Sequence, residues 1–173
     1  MGTEIWKDDV FVSRTLNGVV HQLLSMERYT EAIEGEVSSP QLVIREAMRC
    51  SCKVLFALLR EKFSVHPSGI PQHKNSVKEL LFQHSIEWSG FLELRLWALV
   101  TASLAHKDDE ISWYMDEIRH TAGQMGVSTW SDVIEVVRSV LWMEETFKTR
   151  SDMLKDVFEL SAVIQEEPNP EVE

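Results

Sequence analysis

The chain has 173 residues, of which 44% are hydrophobic and 26% are charged. These values are ordinary for one globular domain, which at this length can bury enough surface to fold without a disulfide or a metal. The net charge of −11 at pH 7 repels nucleic acids and anionic membranes, because cations supply most of the binding to both. No run of four or more basic residues occurs, so we expect neither nucleic-acid nor membrane binding.

The sequence predicts an intracellular protein. Secreted scaffolds usually carry more cysteines than the two found here, Cys50 and Cys52. Residues 1–9 contain Glu4, Asp8 and Asp9 and no apolar segment, so we expect no signal peptide. The longest apolar candidate, residues 92–105, is too short and too charged to cross a bilayer.

The first part of the chain contains two clear helix signals with a weaker one between them. An apolar stripe at helical spacing predicts a helix over residues 10–26, and the polar segment 27–36 has room for a short one. Ser39 before Pro40 is typical of a helix start, and we expect that helix to reach about Phe63. Its apolar positions are Leu42, Val43, Ala47, Met48, Val54, Leu55, Leu58 and Leu59.

Residues 67–71 contain three helix breakers, after which the spacing predicts a short helix over residues 75–83. Trp88, Ser89 and Gly90 predict a joint before a helix over residues 91–104. That helix is apolar nearly all round, as expected for a central, buried element.

Three further helix signals follow. Asp108 or Asp109 can cap a helix that ends near Met125, where Gly126 provides the stop. Ser128 can cap the next helix. The last helical face runs to about Ile164, and its apolar residues are Met153, Leu154, Val157, Phe158 and Leu160.

Six or seven helices with short connections predict an all-α fold with a single helical domain. We place that domain at residues 1–164. The polar, acidic residues 165–173 contain Pro168 and Pro170 and predict a disordered tail.

Two groups of residues could suggest a metal, and we expect neither to bind one. Cys50 and Cys52 point about 200° apart on a helix and have no second cysteine pair. Glu117 and His120 form one ligand pair of the kind found in di-iron bundles, which need two such pairs and two more carboxylates. We therefore predict no metal and no cofactor.

A weaker pattern leaves an enzyme as an alternative. Arg60 and His66 have the spacing Arg-x5-His, and Arg14 and His21 have Arg-x6-His. This resembles the helical HEPN ribonucleases, although about one such match is expected by chance. No phosphate-binding loop or nucleophile elbow accompanies it, and we predict no catalytic residue.

Five tryptophans are spread evenly over the second half of the chain. A platform for stacking nucleic-acid bases would need flanking cations, which are missing. Large aromatic side chains instead dominate cores when they are buried. We predict that five residues are structural core anchors: Trp88, Trp97, Trp113, Trp130 and Trp142.

The order of these residues resembles the fungal-specific transcription factor domain. That family has an "LLWxL" segment followed by small residues, an aromatic pair, a Leu-Gly turn, "W-x-x-V" and a closing "LW". The matching segments here begin at Leu94, Trp113, Met125, Trp130 and Val140. Upstream, the helix over residues 47–60 and the segment 78–82 resemble the family's preceding helices, so the resemblance covers residues 47–142.

The resemblance implies a helical regulatory region that normally follows a six-cysteine zinc cluster. This chain has two cysteines and no basic segment beside them, so we expect no direct DNA binding. It implies a non-enzymatic module that regulates transcription in the nucleus through protein partners. Self-association and a small-molecule effector are compatible with that role, although no residue indicates an effector.

Two alternatives stay open. One is a generic helical interaction or assembly domain, for which we expect a cytoplasmic location. The other is the HEPN-like ribonuclease.

Overall fold

The computed structural model describes residues 40–62, 70–83, 88–105 and 111–165, and five further helical positions, Arg14, Gly18, His21, Gln22 and Ser25. The rest of the predicted helix 10–26 lies outside the described residues. So do the segment 27–36, the tail residues 166–173 and the three predicted capping residues Ser39, Asp108 and Asp109.

The all-α prediction is confirmed, since the described ranges contain helices and no strand. The elements are α1 (Pro40–Lys62), α2 (Ile70–Gln83), α3 (Leu92–Ser103), α4 (Ile111–Gln124), α5 (Trp130–Val140) and α6 (Glu144–Gln165). They fall into two compact units, Met1–Glu87 and Trp88–Glu173. The predicted helical region 1–164 spans both units.

In the first unit, α1 packs against α2. α1 begins at Pro40, as the sequence predicts, because the fixed φ of proline suits a first helical position. Three- and four-residue spacing buries most of its apolar side chains, whereas Leu42 from the predicted stripe is 40% exposed. On α2, Val77 and Leu81 are buried.

The predicted start of α2 at residue 75 is wrong. The helix begins at Ile70, so Pro71 lies within its first turn. Proline is tolerated there because the first helical N–H groups have no intrahelical acceptor. Pro71 therefore belongs to the helix and not to the break before it.

In the second unit, α3 is the central helix and packs against both α4 and α5. Its eight residues from Leu96 to Ser103 are all buried, which confirms the prediction from its apolar composition. The predicted joint before it is a turn in which the Phe91 N–H donates to the Trp88 carbonyl at 2.8 Å. Gly90 has φ 85°, which glycine adopts without steric cost.

The end of α4 also follows the prediction. Gly126 has φ 73°, and its N–H donates to the Gly123 carbonyl at 3.1 Å. The Val127 N–H donates to the Ala122 carbonyl at 2.9 Å. These two bonds form a Schellman motif, which satisfies carbonyls at the helix end.

The predicted cap of α5, Ser128, is wrong by one residue. Thr129 is the N-cap, with extended backbone and a hydroxyl that accepts the Asp132 N–H at 3.2 Å. The same hydroxyl donates to Asp132 Oδ2 at 2.6 Å. Both residues carry capping hydroxyls, and Thr129 is selected because Trp130 occupies the first helical position with its ring in the core.

We expect Thr129→Ala to lower the free energy of unfolding by about 1 kcal/mol, because it removes the N-cap acceptor of α5. Urea unfolding followed by circular dichroism measures the change. Thr129→Ser should keep the cap and most of the stability. Thr149→Ala, at an exposed position of α6, is the matched control and should have little effect. Equal losses for the two alanine variants would contradict the assignment.

Candidate interaction surface

The five predicted anchor tryptophans differ in burial. Trp88, Trp97 and Trp130 are buried, whereas Trp113 and Trp142 are half-buried. The ring of Trp113 contacts its neighbour Tyr114 edge-on, with the centroids 4.7 Å apart. All five belong to the second unit, three of them at or beside helix ends.

Trp97 connects α3 to the end of α5. Its side chain is 1% exposed, and its indole N–H donates to the Leu141 carbonyl at 2.7 Å. Leu141 is the C-cap of α5 and has extended backbone, and its own N–H donates to the Val137 carbonyl. Trp97 therefore binds the first residue of the three-residue joint, 141–143, that leads into α6.

Trp130 connects α5 to α6. Its indole N–H lies 3.3 Å from Ser151 Oγ, and its ring centroid is 5.4 Å from that of Phe158. Arg119 of α4 completes this contact, since its guanidinium lies 5.0 Å from the Phe158 centroid. Arg119 also donates to the carbonyls of Val157 and Phe158, at 3.2 and 2.8 Å. This cluster attaches the middle of α6 to α4 and α5.

Trp142 contributes to an ion-pair cluster at the start of α6. Glu144 Oε2 accepts from the Arg138 guanidinium at 2.6 Å and from the Trp142 indole at 3.0 Å. The hydrogen bond from Arg138 lowers the pKa of the Glu144 carboxyl, and Trp142 adds to this effect. The Trp142 ring packs on Phe147, with the centroids 5.4 Å apart.

Among the residues considered for chemistry, the two cysteines are separated by the helix. Cys50 is buried and Cys52 is half-buried, and both thiols are free. Burial and the nearby Glu46 carboxylate raise the pKa of Cys50 to about 11, and burial raises the pKa of Cys52. Both thiols are therefore mostly protonated at neutral pH, which is the less nucleophilic form.

Cys50 belongs to a buried polar turn of α1. Arg49 forms a two-point ion pair with Glu46, and the Cys50 thiol lies 3.7 Å from Glu46 Oε1. The hydrogen bond to Glu46 raises the pKa of Arg49. This ion pair was not predicted from the sequence. The signal that indicates it is a Glu and an Arg three residues apart on an otherwise apolar helical stripe.

Glu117 and His120 point to different partners. Glu117 accepts from Arg95 of α3 at 2.7 Å, whereas His120 lies 3.1 Å from the Gln124 side chain. Over the part of the chain that the structure describes, no group of three or more His, Cys, Asp or Glu side chains could hold a metal ion.

The two Arg–His patterns are not brought together as a site. Arg60 lies near the end of α1, but His66 is outside the described residues. Arg14 and His21 are both exposed.

Between residues 147 and 160, α6 carries apolar side chains on two separate faces. The buried face consists of Phe147, Ser151, Leu154 and Phe158. Met153 and Leu160 are 64% and 66% exposed, and Val157 is half-buried between them. These three residues, which we term the outer face of α6, follow i, i+4, i+7 spacing roughly a third of the circumference away from the buried face.

The two borders of the outer face carry opposite charges. On the side away from the core, Asp152 and Asp156 are exposed, and among the described side chains neither forms an ion pair. On the side toward the core lie Arg150 and the Arg119 contact with the α6 backbone. A contiguous exposed apolar patch with a polar rim is typical of a surface that binds another protein, whereas a single exposed apolar side chain is not.

Comparison with known proteins identifies no relative. No family model, no curated protein and no solved structure matches the chain. The resemblance to the fungal transcription regulators therefore stays a prediction. Separately, none of the helices in the described ranges has the length and apolar character needed to cross a membrane.

We expect Trp97→Phe to lower the free energy of unfolding by about 2 kcal/mol or more. The phenyl ring leaves unfilled volume in the core and removes the donor to the Leu141 carbonyl. Trp142→Phe is the matched control, because its indole donates to an exposed carboxylate, and we expect a loss below about 1 kcal/mol. Urea titration of both variants tests this, and a smaller loss for Trp97→Phe would contradict it.

The Glu144 cluster predicts a small acid-dependent loss of stability. A carboxyl whose pKa is lowered on folding favours the folded state when ionised. Its contribution is complete above the ordinary value of 4.5 and is lost as pH falls through the lowered folded value. Because the pair is exposed, we expect less than about 1 kcal/mol.

Urea unfolding of Glu144→Gln between neutral pH and pH 3 measures this contribution. The difference from the unsubstituted protein should be constant near neutrality and shrink below about pH 4.5. Arg138→Gln should remove the same pH-dependent contribution to the free energy of unfolding. The double variant with Glu144→Gln should therefore be little less stable than either single variant. A difference that is unchanged at pH 3 would contradict the assignment.

Proposed function

We propose that this chain is a non-enzymatic helical module that acts through protein partners, as the resemblance to the fungal-specific transcription factor domain implies. On this proposal it regulates transcription in the nucleus and does not bind DNA itself. The observation that carries the proposal is the outer face of α6, with Met153 and Leu160 about two-thirds exposed on a well-packed helix.

Packing supports this interpretation of the surface. α6 is attached to the unit through its buried face, Trp130 and Arg119, and these contacts do not involve the side chains of Met153 or Leu160. Met153 and Leu160 can therefore be covered by a partner without any loss of internal contacts. A surface presented on a fixed helix needs little ordering when a partner binds.

Electrostatics supports a protein partner over a nucleic acid. The net charge of −11 opposes contact with phosphates, which bind mainly through Lys and Arg. The exposed carboxylates Asp152 and Asp156 border the outer face itself, so the repulsion is also local. A generic helical interaction or assembly domain would use the same surface without the role in transcription.

A tethering assay tests the proposal. We expect the full chain, fused to an unrelated DNA-binding domain in a fungal cell, to change the output of a reporter gene that carries the matching operator. Met153→Gln with Leu160→Gln should return the output to baseline, because these changes remove the apolar side chains and keep good helix propensity. Leu42→Gln, at an exposed apolar position of the first unit, is the matched control.

The comparison requires that all variants of the fusion protein are present at equal levels in the cell and that the substitutions leave the helix content of the chain unchanged. A reporter that stays at baseline with the unsubstituted chain would contradict a role in transcription. A reporter that changes equally with and without the outer-face substitutions would contradict the assigned surface.

A further inference from the structure

The negative charge of the chain is concentrated in one unit. Residues 88–173 contain 17 acidic and 7 basic side chains, a net charge of −10, whereas residues 1–87 contain 11 and 10, a net charge of −1. The outer face of α6 belongs to the acidic unit. A partner that docks there meets an apolar stripe in a strongly negative field.

We propose that the outer face of α6 binds a basic amphipathic helix of another protein. This inference rests on the proposed function, because it names the chemistry of the partner for the same surface. The stripe of Met153, Val157 and Leu160 is narrow and follows helical spacing, so it matches an apolar stripe on one facing helix.

The borders of the stripe fix where the partner's charges lie. Asp152 and Asp156 line the side away from the core, and they attract Lys or Arg side chains of the partner. The opposite side carries Arg150 and Arg119, and Arg119 there bonds the α6 backbone and pairs with Asp116. The partner therefore carries its basic residues along one edge of its apolar stripe, the edge that faces Asp152 and Asp156.

A second copy of this chain is a poor occupant of the same surface. Two copies would bring together two units of net charge −10 each. In an antiparallel pairing of the two helices, the Asp152 and Asp156 borders of the two copies would also face each other. Like charges placed together across an interface disfavour that pairing.

Binding of two synthetic helical peptides to the full chain tests the inference. The first peptide has about 18 residues, with leucines at i, i+3/4 and i+7 positions and lysines along one edge of the leucine stripe. The second peptide has the same leucines, with glutamates in place of the lysines. Fluorescence anisotropy of the labelled peptides gives the affinities. We expect the lysine peptide to bind at least about tenfold more tightly, and added salt to reduce the difference.

Three variants locate the binding. Met153→Gln with Leu160→Gln should weaken the lysine peptide by about tenfold or more, because two apolar contacts are lost. Asp152→Lys with Asp156→Lys should weaken it by a comparable factor. The matched control, Glu93→Lys with Glu135→Lys, makes the same change in net charge at exposed sites on α3 and α5 and should change the affinity less than about twofold.

Four results would overturn the inference. They are equal binding of the two peptides, equal weakening by the two charge-reversal pairs, unchanged binding after the outer-face glutamine substitutions, and a dimer in sedimentation that those substitutions dissociate. If the reporter effect requires the outer face but the chain does not prefer the lysine peptide, the basic-helix inference is wrong and the proposed function stands. Binding specific to the outer face without any reporter effect would instead contradict the role in transcription.

Discussion

The hydrogen bond from the Trp97 indole to the Leu141 carbonyl joins the central helix of the second unit to the joint before α6. Its donor lies on the most buried helix, α3, and its acceptor lies where α5 ends. The joint that follows has only three residues before α6 begins. The direction in which α6 leaves α5 therefore depends on where Trp97 holds this backbone, and so does the presentation of the outer face.

A second set of contacts acts farther along α6. Arg119 reaches two carbonyls within the helix and stacks on Phe158, whose ring also contacts Trp130. Aromatic and cation–π contacts of this kind favour particular geometries beyond simple burial. α6 is thus fixed both near its start and at its middle, and the helix presents Met153 and Leu160 on a defined backbone.

Sequence reasoning predicted the fold class, α3 and the end of α4 because their signals are local. A helix apolar nearly all round is central, and Gly126 supplies the positive φ that a Schellman motif needs. The start of α2 and the cap of α5 were misplaced by five residues and one residue. Proline can break a helix or start one, and Ser128 and Thr129 carry equivalent hydroxyls, so the local sequence allows more than one position in both cases.

The outer face of α6 was not predicted. Sequence periodicity assigned Met153, Leu154, Val157, Phe158 and Leu160 to one helical face. In the structure these residues lie on two different faces of α6, because the buried face includes Ser151. A polar residue such as serine is usually expected to face solvent, so the sequence does not indicate its burial. Its hydroxyl is buried beside the Trp130 indole, and that pairing is visible only in three dimensions.

The distribution of tryptophans has a spectroscopic consequence. Five of the six indoles in the chain belong to the unit Trp88–Glu173, and three of these are buried. Intrinsic fluorescence therefore reports mainly on that unit, whereas far-ultraviolet circular dichroism averages over the helices of both. Followed by the two signals together, a single unfolding experiment distinguishes units that melt as one from units that melt in turn.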